Sequence, residues 1–305
     1  MAHIEMWVNE IWQADMKQNG LQPLIKGVSD NEKNASDGFV IVDRDPYPNE
    51  SSTPSKERQV HVLTEVYIPN IKMKSYELFR KLHDNYNWRR HQDDLLTTEE
   101  ANEINNFLQF AITTEPMKIA RIYAEKKGFL SNNSSNVEWI EKLKSMWFEQ
   151  YKYDDTSTSA FEHVFIGEEG DSPGKLGGHH FWYHYYINDG PFEITALEDT
   201  IYFLKYVEVN RLEKSNKAEF ITIQYNYTKK DNQGEERLLK LKGGFFVGLS
   251  AEGLLAIGTV AFLNGKEKIL VEVNGEEFDL IVWRTQDEEK HPRTFFPKFR
   301  SAVPV

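Results

Sequence analysis

An α+β fold, with a helical N-terminal part followed by a mostly antiparallel, β-rich domain of two small sheets with few helices, follows from three features of the 305-residue sequence. Apolar residues recur at helical spacing through most of the first half. After about Thr156 the pattern changes to short β-branched and aromatic runs, and turn-forming residues separate them. This change sets an expected boundary between residues 1–155 and residues 156–305.

The first expected helix spans about Ile4 to Lys17, with Ile4, Trp7, Val8, Ile11 and Trp12 on one face. Gly27 to Arg58 collects Ser, Asn, Asp, Gly and Pro and reads as a long polar loop. Ser75 is positioned to cap a helix carrying Tyr76, Leu78, Phe79 and Leu82, and Thr97 or Thr98 to cap the next, where Glu99 and Glu100 suit the positive end of the helix dipole. That helix runs through Ile104, Phe107, Leu108 and Ala111. Another runs from Glu115 to the basic pair Lys126-Lys127 and a stop at Gly128, and a further one from Val137 to Tyr151. In the second half the expected strands are Glu162 to Ile166, His180 to Ile187, Thr200 to Val209, Phe220 to Tyr227, Phe245 to Leu249, Lys268 to Val273 and Phe278 to Thr285. Asn274-Gly275 forms a hairpin turn, and one helix starts at the cap Ser250 and ends near Phe262.

Composition narrows the function classes. With 40% hydrophobic and 28% charged residues and 19 Phe, 14 Tyr and 7 Trp, the chain reads as a folded globular protein. The absence of cysteine excludes disulfides and thiolate metal sites. The net charge is −12, divided evenly: from Thr156 onward 17 basic residues face 23 acidic ones, and before it 19 face 25. Neither half is a basic nucleic-acid-binding module, so any RNA contact must come from a local patch. The start of the chain has no unbroken apolar run of the signal-peptide kind and no stretch reaches membrane-spanning length, so a cytoplasmic protein without a membrane partner is expected.

Four of the nine histidines fall in one short span, within Ser159-Ala-Phe-Glu-His-Val-Phe-Ile-Gly-Glu168 and Gly177-Gly-His-His-Phe-Trp-Tyr-His-Tyr-Tyr186. Imidazole is the side chain best matched to moving protons near neutral pH, and two of them across one phosphate form a base and acid pair. Taken singly, a strand histidine is more often simply packed. His163, His179, His180 and His184 also suit a cupin-like barrel holding a divalent metal. Alternation along a strand puts His180, Trp182 and His184 on one face and His179, Phe181 and Tyr183 on the other, so His179 and His180 do not enter the same site.

The segment Phe161-Glu-His-Val-Phe-Ile-Gly-Glu168 resembles the signature of the EndoU endoribonucleases, the XendoU-like, poly(U)-specific family related to the coronaviral uridylate-specific endoribonucleases. Gly177-Gly-His-His-Phe-Trp182 is similar to the family's second histidine motif, Lys240-Leu-Lys-Gly-Gly-Phe-Phe-Val-Gly-Leu-Ser-Ala-Glu252 to its lysine motif, and Arg293-Thr-Phe-Phe-Pro-Lys-Phe299 to its closing motif. The likeness extends back through Tyr151, Trp147-Phe148, Asp84-Asn-Tyr86 and Ser75-Tyr-Glu-Leu-Phe79, and so covers most of the chain.

The resemblance implies an endoribonuclease acting on single-stranded RNA, with no obligate protein partner. His163 and His180 are its acid and base, and Lys240 stabilises the phosphorane, with Lys242 as the fallback lysine. The RNA 2′-hydroxyl is the nucleophile, and the products are a 2′,3′-cyclic phosphate and a 5′-hydroxyl. Stimulation by Mn2+ is implied, and the family's sensitive acidic positions fall on Glu162 and Glu168. Thr294, Phe296, Gly244 and Lys242 take the substrate-binding places. Two departures stand out: Gly244 where the family commonly has a serine, and Phe296 where it has a tyrosine. The loss of both hydroxyls implies a relaxed or altered uridine preference. The main alternative is an EndoU-like RNA-binding protein without turnover, and the third a cupin-like His/Glu metalloenzyme.

Overall fold

The computed structural model describes residues 4–46, 60–83, 85–89, 96–153, 156–189, 200–208, 216–285 and 291–300. The far part of the polar segment, Asp84 and Val209 lie outside the described residues. Helix α1 (Ile4–Gln18) buries Trp7, Val8, Ile11 and Trp12 as its spacing predicts. Strands β1 (Gln22–Ile25), β2 (Phe39–Val42) and β3 (Leu63–Tyr67) form a small sheet, with β1 and β2 parallel and β2 and β3 antiparallel. Strand β2 therefore lies inside the segment read as loop; its four consecutive apolar residues are all buried.

Helices α2 (Met73–Leu82), α3 (Thr98–Ala111), α4 (Glu115–Lys126) and α5 (Asn136–Trp147) follow. Capping boxes start α3, where Thr97 and Glu100 bond each other's backbone, and α5, where Ser135 and Glu138 do the same. Gly128, at φ 72°, stops α4. Ser75 is not a cap: α2 begins two residues earlier, and the Ser75 hydroxyl instead donates to Glu252 Oε2 at 2.9 Å.

The hairpin β4 (Tyr151–Tyr153) and β5 (Thr156–Thr158), the two-residue ribbon β6 (Glu168–Glu169) and β7 (Leu176–Gly177), and helix α6 (Trp182–Asn188) lead into two antiparallel sheets. One consists of β8 (Ile201–Glu208), β9 (Phe220–Asp231) and β10 (Gly234–Phe246) in the order β10-β9-β8. The other is the meander β11 (Lys268–Val273), β12 (Glu276–Arg284) and β13 (Pro292–Phe299). The turn between β11 and β12 is formed by Asn274 and Gly275 at φ 52° and 85°, the left-handed pair that a tight hairpin requires.

Helix α7 (Ala251–Asn264) connects the two sheets. It is apolar on every side and buried from Ala251 to Phe262, as befits a helix at the centre of a core. Ser250 caps it, accepting from Gly253 N at 3.0 Å, and Asp15 of α1 accepts from Ser250 N at 2.8 Å. One hydrophobic cluster includes Trp7 and Trp12 of α1, Phe107 of α3, Trp147 of α5, and Phe246, Leu255 and Phe278. Among the described residues no helix is long and apolar enough to cross a membrane.

Three expected strands differ. Glu162–Ile166 is a π-helical turn closed by Gly167 N donating to Glu162 O at 2.8 Å. His180 to Ile187 is mostly helix α6. Both runs are β-branched or aromatic, yet Glu162–Ile166 and Trp182–Asn188 are buried throughout. The inside-outside alternation that marks a half-exposed strand is thus missing, and packing overrides local propensity. Finally, the strand expected over Phe245 to Leu249 ends at Phe246 and starts as far back as Gly234.

Candidate active site

The two histidine segments are joined backbone to backbone. His179 N donates to His163 O at 2.8 Å, and His180 N donates to Val164 O at 2.6 Å. Only glycine permits that approach. Gly178 has φ +57°, and a Cβ built there would lie 1.7 Å from His163 O. Gly167, at φ 79° and ψ 149°, occupies a region essentially reserved for glycine, and its Cβ would lie 2.6 Å from His179 Cβ. The glycines in both motifs thus serve close packing of the two histidine loops.

His163, His180 and Lys240 all line one cavity of about 420 Å3. His180 Nδ1 lies 3.1 Å from the Gly244 carbonyl, an acceptor only, so Nδ1 carries the proton. His163 Nδ1 lies 2.8 Å from Glu168 Oε1, and Arg293 reaches both His163 Nδ1 and, at 3.1 Å, Glu168 Oε1. A guanidinium only donates, so Arg293 and Glu168 compete for Nδ1, and when Arg293 turns to Glu168 the ionised carboxylate accepts from Nδ1–H. Both rings are then anchored through Nδ1, leaving each Nε2 as the basic nitrogen without a hydrogen-bond partner among the described residues. Lys240, from β10, donates to the Gly178 carbonyl. Phe296 stacks on His180, with ring centroids 4.8 Å apart and planes at 17°.

The charges in this site are tuned mainly by desolvation. Burial lowers the His163 pKa to about 4; the Arg293 cation adds to that, and Glu168 opposes it. A carboxylate neighbour would by itself raise a histidine, but burial and the guanidinium outweigh it. His180 is held well below its ordinary value by burial, then by Lys240 and His163. Burial lowers Lys240 to about 7, assisted by Arg293. Burial also works to raise Glu168, but the contacts with His163, Arg293 and Thr158 win and hold it well below the usual carboxylate range. Both imidazoles are therefore neutral near pH 7, and Lys240 titrates there.

Four further sequence-singled residues, Lys242, Gly244, Thr294 and Phe296, line the same cavity. Gly244 has no room for a side chain: its Cβ would lie 2.8 Å from Pro297 O. Glu162 and Glu168 are not on solvated surface, as glutamates of an acidic protein usually are; both are buried. Their oxygens are committed internally. Thr158 Oγ1 lies within hydrogen-bond distance of both carboxylates, its single proton shared between them, and Ser159 N donates to Glu162 Oε2 at 3.4 Å. With Arg293 and His163 also on Glu168, the pair does not fit a resident Mn2+ ion. Among the described residues no group of three or more His, Asp or Glu side chains is placed to hold a metal.

The cupin-like arrangement is also overturned. The strands form separate small sheets rather than a barrel. His179 turns away from the cavity: its Nδ1 pairs with Tyr225 OH at 2.6 Å and its Nε2 with His184 Nδ1 at 2.8 Å. His179 and His180 do point apart, though through a left-handed backbone at His179, φ 61°, and not through strand alternation.

Sequence reasoning missed Arg293, Thr222 and Trp283, all of which line the cavity. Arg293 had a signal, being the residue before Thr294 in the closing motif; Thr222 and Trp283 had none, since they enter through strand pairing alone.

Two buried imidazoles and an ammonium thus line one cavity of an α+β scaffold. The family model described as Endoribonuclease XendoU matches residues 7–297. The chain belongs to that family. A poly(U)-specific endoribonuclease of Xenopus tropicalis is 29% identical over 213 residues, covering 68% of this chain and 66% of the relative. A uridylate-specific endoribonuclease B of Danio rerio is 26% identical over 230 residues, covering 74% of this chain and 75% of the relative. The chain thus aligns with just under two thirds of the length of the Xenopus relative. The solved structure of XendoU, a splicing-independent snoRNA-processing endoribonuclease, shares the fold, with a TM-score of 0.69, 22% identity, and coverage of 98% of this chain and 97% of that one.

Proposed function

We propose that this protein is an endoribonuclease that cleaves single-stranded RNA by 2′-hydroxyl transesterification. The observation that carries the reading is the pair of imidazoles anchored through Nδ1 on the wall of one cavity that also holds Lys240. One Nε2 takes the proton of the 2′-hydroxyl as the bond from O2′ to phosphorus forms. The other imidazole, protonated, gives its Nε2 proton to O5′ as the bond from phosphorus to O5′ breaks. The products are a 2′,3′-cyclic phosphate and a 5′-hydroxyl.

Lys240 meets the added charge on the non-bridging oxygens, where a preorganised cation in a dry pocket is worth several times its value in water. Burial lowers the charged forms of all three groups. An arriving phosphodiester anion opposes that shift, so the substrate itself promotes the protonated acid and the cationic lysine. Phe296, stacked on His180 by one face, borders the cavity and supports sequence-tolerant stacking on a base, and the missing hydroxyl at Gly244 supports a relaxed or altered base preference.

The test is to incubate the protein with end-labelled single-stranded RNA, with and without manganese, and to identify the product ends. Cyclic phosphate ends, lost in His163→Ala, His180→Ala and Lys240→Ala, are expected. Full cleavage by all three variants, or 3′-hydroxyl products, would sink the mechanism. RNA binding with no product from the wild type would instead support the turnover-free alternative.

A further inference from the structure

Thr222 and Thr294 form an unusual pair in the cavity wall. Both side chains are at least nine-tenths buried, at 5% and 4% exposure, and neither Oγ1 has a hydrogen-bond partner among the described residues. A buried hydroxyl without a partner is costly enough that each such group calls for an explanation. Two of them lining one cavity beside the catalytic groups are explained together by a ligand that bonds them.

Their placement says which part of the ligand. In the ladder between β9 and β10, Thr222 lies directly opposite Gly244, whose carbonyl orients His180. Thr294 lies opposite Trp283 in the ladder between β12 and β13. Trp283 is 53% exposed at the cavity, and Phe296 sits edge-on to it with centroids 6.1 Å apart. Hydroxyls set among aromatic faces, next to the groups that handle the phosphate, match a nucleobase, which combines a π-face with a polar edge of carbonyl oxygens and ring nitrogens. A threonine hydroxyl changes direction by rotation between the staggered χ1 positions, and bonding a ligand here requires such a rotation toward the opening.

We infer that Thr222, with Thr294, reads the polar edge of the base attached to the reacting ribose, so that Thr222 supplies across the β ladder a hydroxyl that position 244 has no room to carry. This rests on the ribonuclease reading above. Pro297 O occupies the place of a side chain at Gly244, whereas the neighbouring strand places Thr222, with its hydroxyl, in the wall of the same cavity. A hydroxyl both donates and accepts, so it serves a carbonyl oxygen or a ring nitrogen, and a site built around such a bond rejects a base that leaves it unmade.

The test compares wild type, Thr222→Val and Thr222→Ser on four oligonucleotides, each holding one ribonucleotide (U, C, A or G) in a 2′-deoxy strand. Valine keeps the shape and removes the hydroxyl; serine keeps the hydroxyl. We expect the valine variant to lose about tenfold in kcat/KM on the base the wild type cuts best, with much less change on the worst base, and the serine variant to recover the preference. Equal loss on all four bases would mark Thr222 as structural and overturn the inference, as would no change on any. A second arm measures equilibrium binding of the four strands made wholly of deoxynucleotides, which needs no turnover. The same base-dependent loss of affinity is expected there, and base-independent affinities in wild type and variant alike would overturn the inference. Failure of the wild type to cut any strand would refute the ribonuclease reading, leaving the binding arm to decide the role of Thr222.

Discussion

The close approach of the two histidine loops at Gly178 gives a sharp test of how the site is built. In Gly178→Ala the new methyl carbon would start 1.7 Å from His163 O. Real contacts of this kind do not fall under 3.0 Å, so the loops must separate by at least about 1.3 Å. That separation strains the bonds from His179 N to His163 O and from His180 N to Val164 O, and shifts the Gly178 carbonyl that holds Lys240. A displacement of about 1 Å in a catalytic arrangement can cost on the order of a hundredfold in rate. We therefore expect kcat/KM on a fluorogenic single-stranded RNA to fall at least a hundredfold. The left-handed backbone at φ +57° adds strain of about 1–2 kcal/mol to the folded state. Gly128→Ala is the control: φ there is +72°, but nothing lies within 4 Å of the added carbon. It should lose only the backbone strain of about 1–2 kcal/mol in a melting experiment and keep its activity. Wild-type turnover in Gly178→Ala, or an equal loss in Gly128→Ala, would refute the idea that this approach sets the catalytic geometry.

On the alkaline side kcat/KM should fall through about 7 as Lys240 loses its proton, together with the deprotonation of whichever imidazole serves as acid; Lys240→Arg, if active, should lose the part of the fall near 7, and a fall there that stays would assign it to another group. Arg293→Gln removes a cation that lowers His163, so the His163 titration, followed by NMR, should move to higher pH, while loss of a buried ion-pair partner of Glu168 costs on the order of 3 kcal/mol in unfolding free energy; an unmoved titration would show that burial alone sets it. Asp15, fully buried beside Glu252, has its pKa raised from 3.8 to about 7, by burial first and then by the Glu252 charge. A carboxyl raised in the folded state contributes stability that is fully present below about 3.8 and lost as pH rises through about 7. Asp15→Asn should therefore flatten the dependence of melting temperature on pH across that window, and an unchanged slope would refute the assignment.

Much of this protein is legible residue by residue. The caps Thr97 and Ser250, the Asn274-Gly275 turn, and the end of α4 before Gly128 are set by local chemistry, and the structure has them. The sheet inside the polar segment is held by tertiary pairing that a short run such as Phe39–Val42 does not announce. The histidine-rich runs misled for a related reason. With every residue of Glu162–Ile166 and Trp182–Asn188 buried, no polar face remained to reveal a turn or a helix. The site residues named from motifs, His163, His180 and Lys240, line one cavity. Thr222 and Trp283 reach it only because strands distant in sequence pair beside it, and the sequence carries no local mark of that register.

Strand β10 takes three steps from Lys240 to Gly243 while β9 takes only two, from Tyr225 to Ile223. The supernumerary residue shifts the phase of alternation, so that Lys240 is paired with core-facing Tyr225 and Gly244 with Thr222 on the opposite parity, although all but the tyrosine border one cavity. The stretch from Leu241 to Gly243 is in this sense metered by its length. Removing one residue would restore an even ladder and leave Phe245 opposite Ile221 and Phe246 opposite Phe220, so what the deletion takes away is the local kink that lets Lys240 and Gly244 border the same cavity.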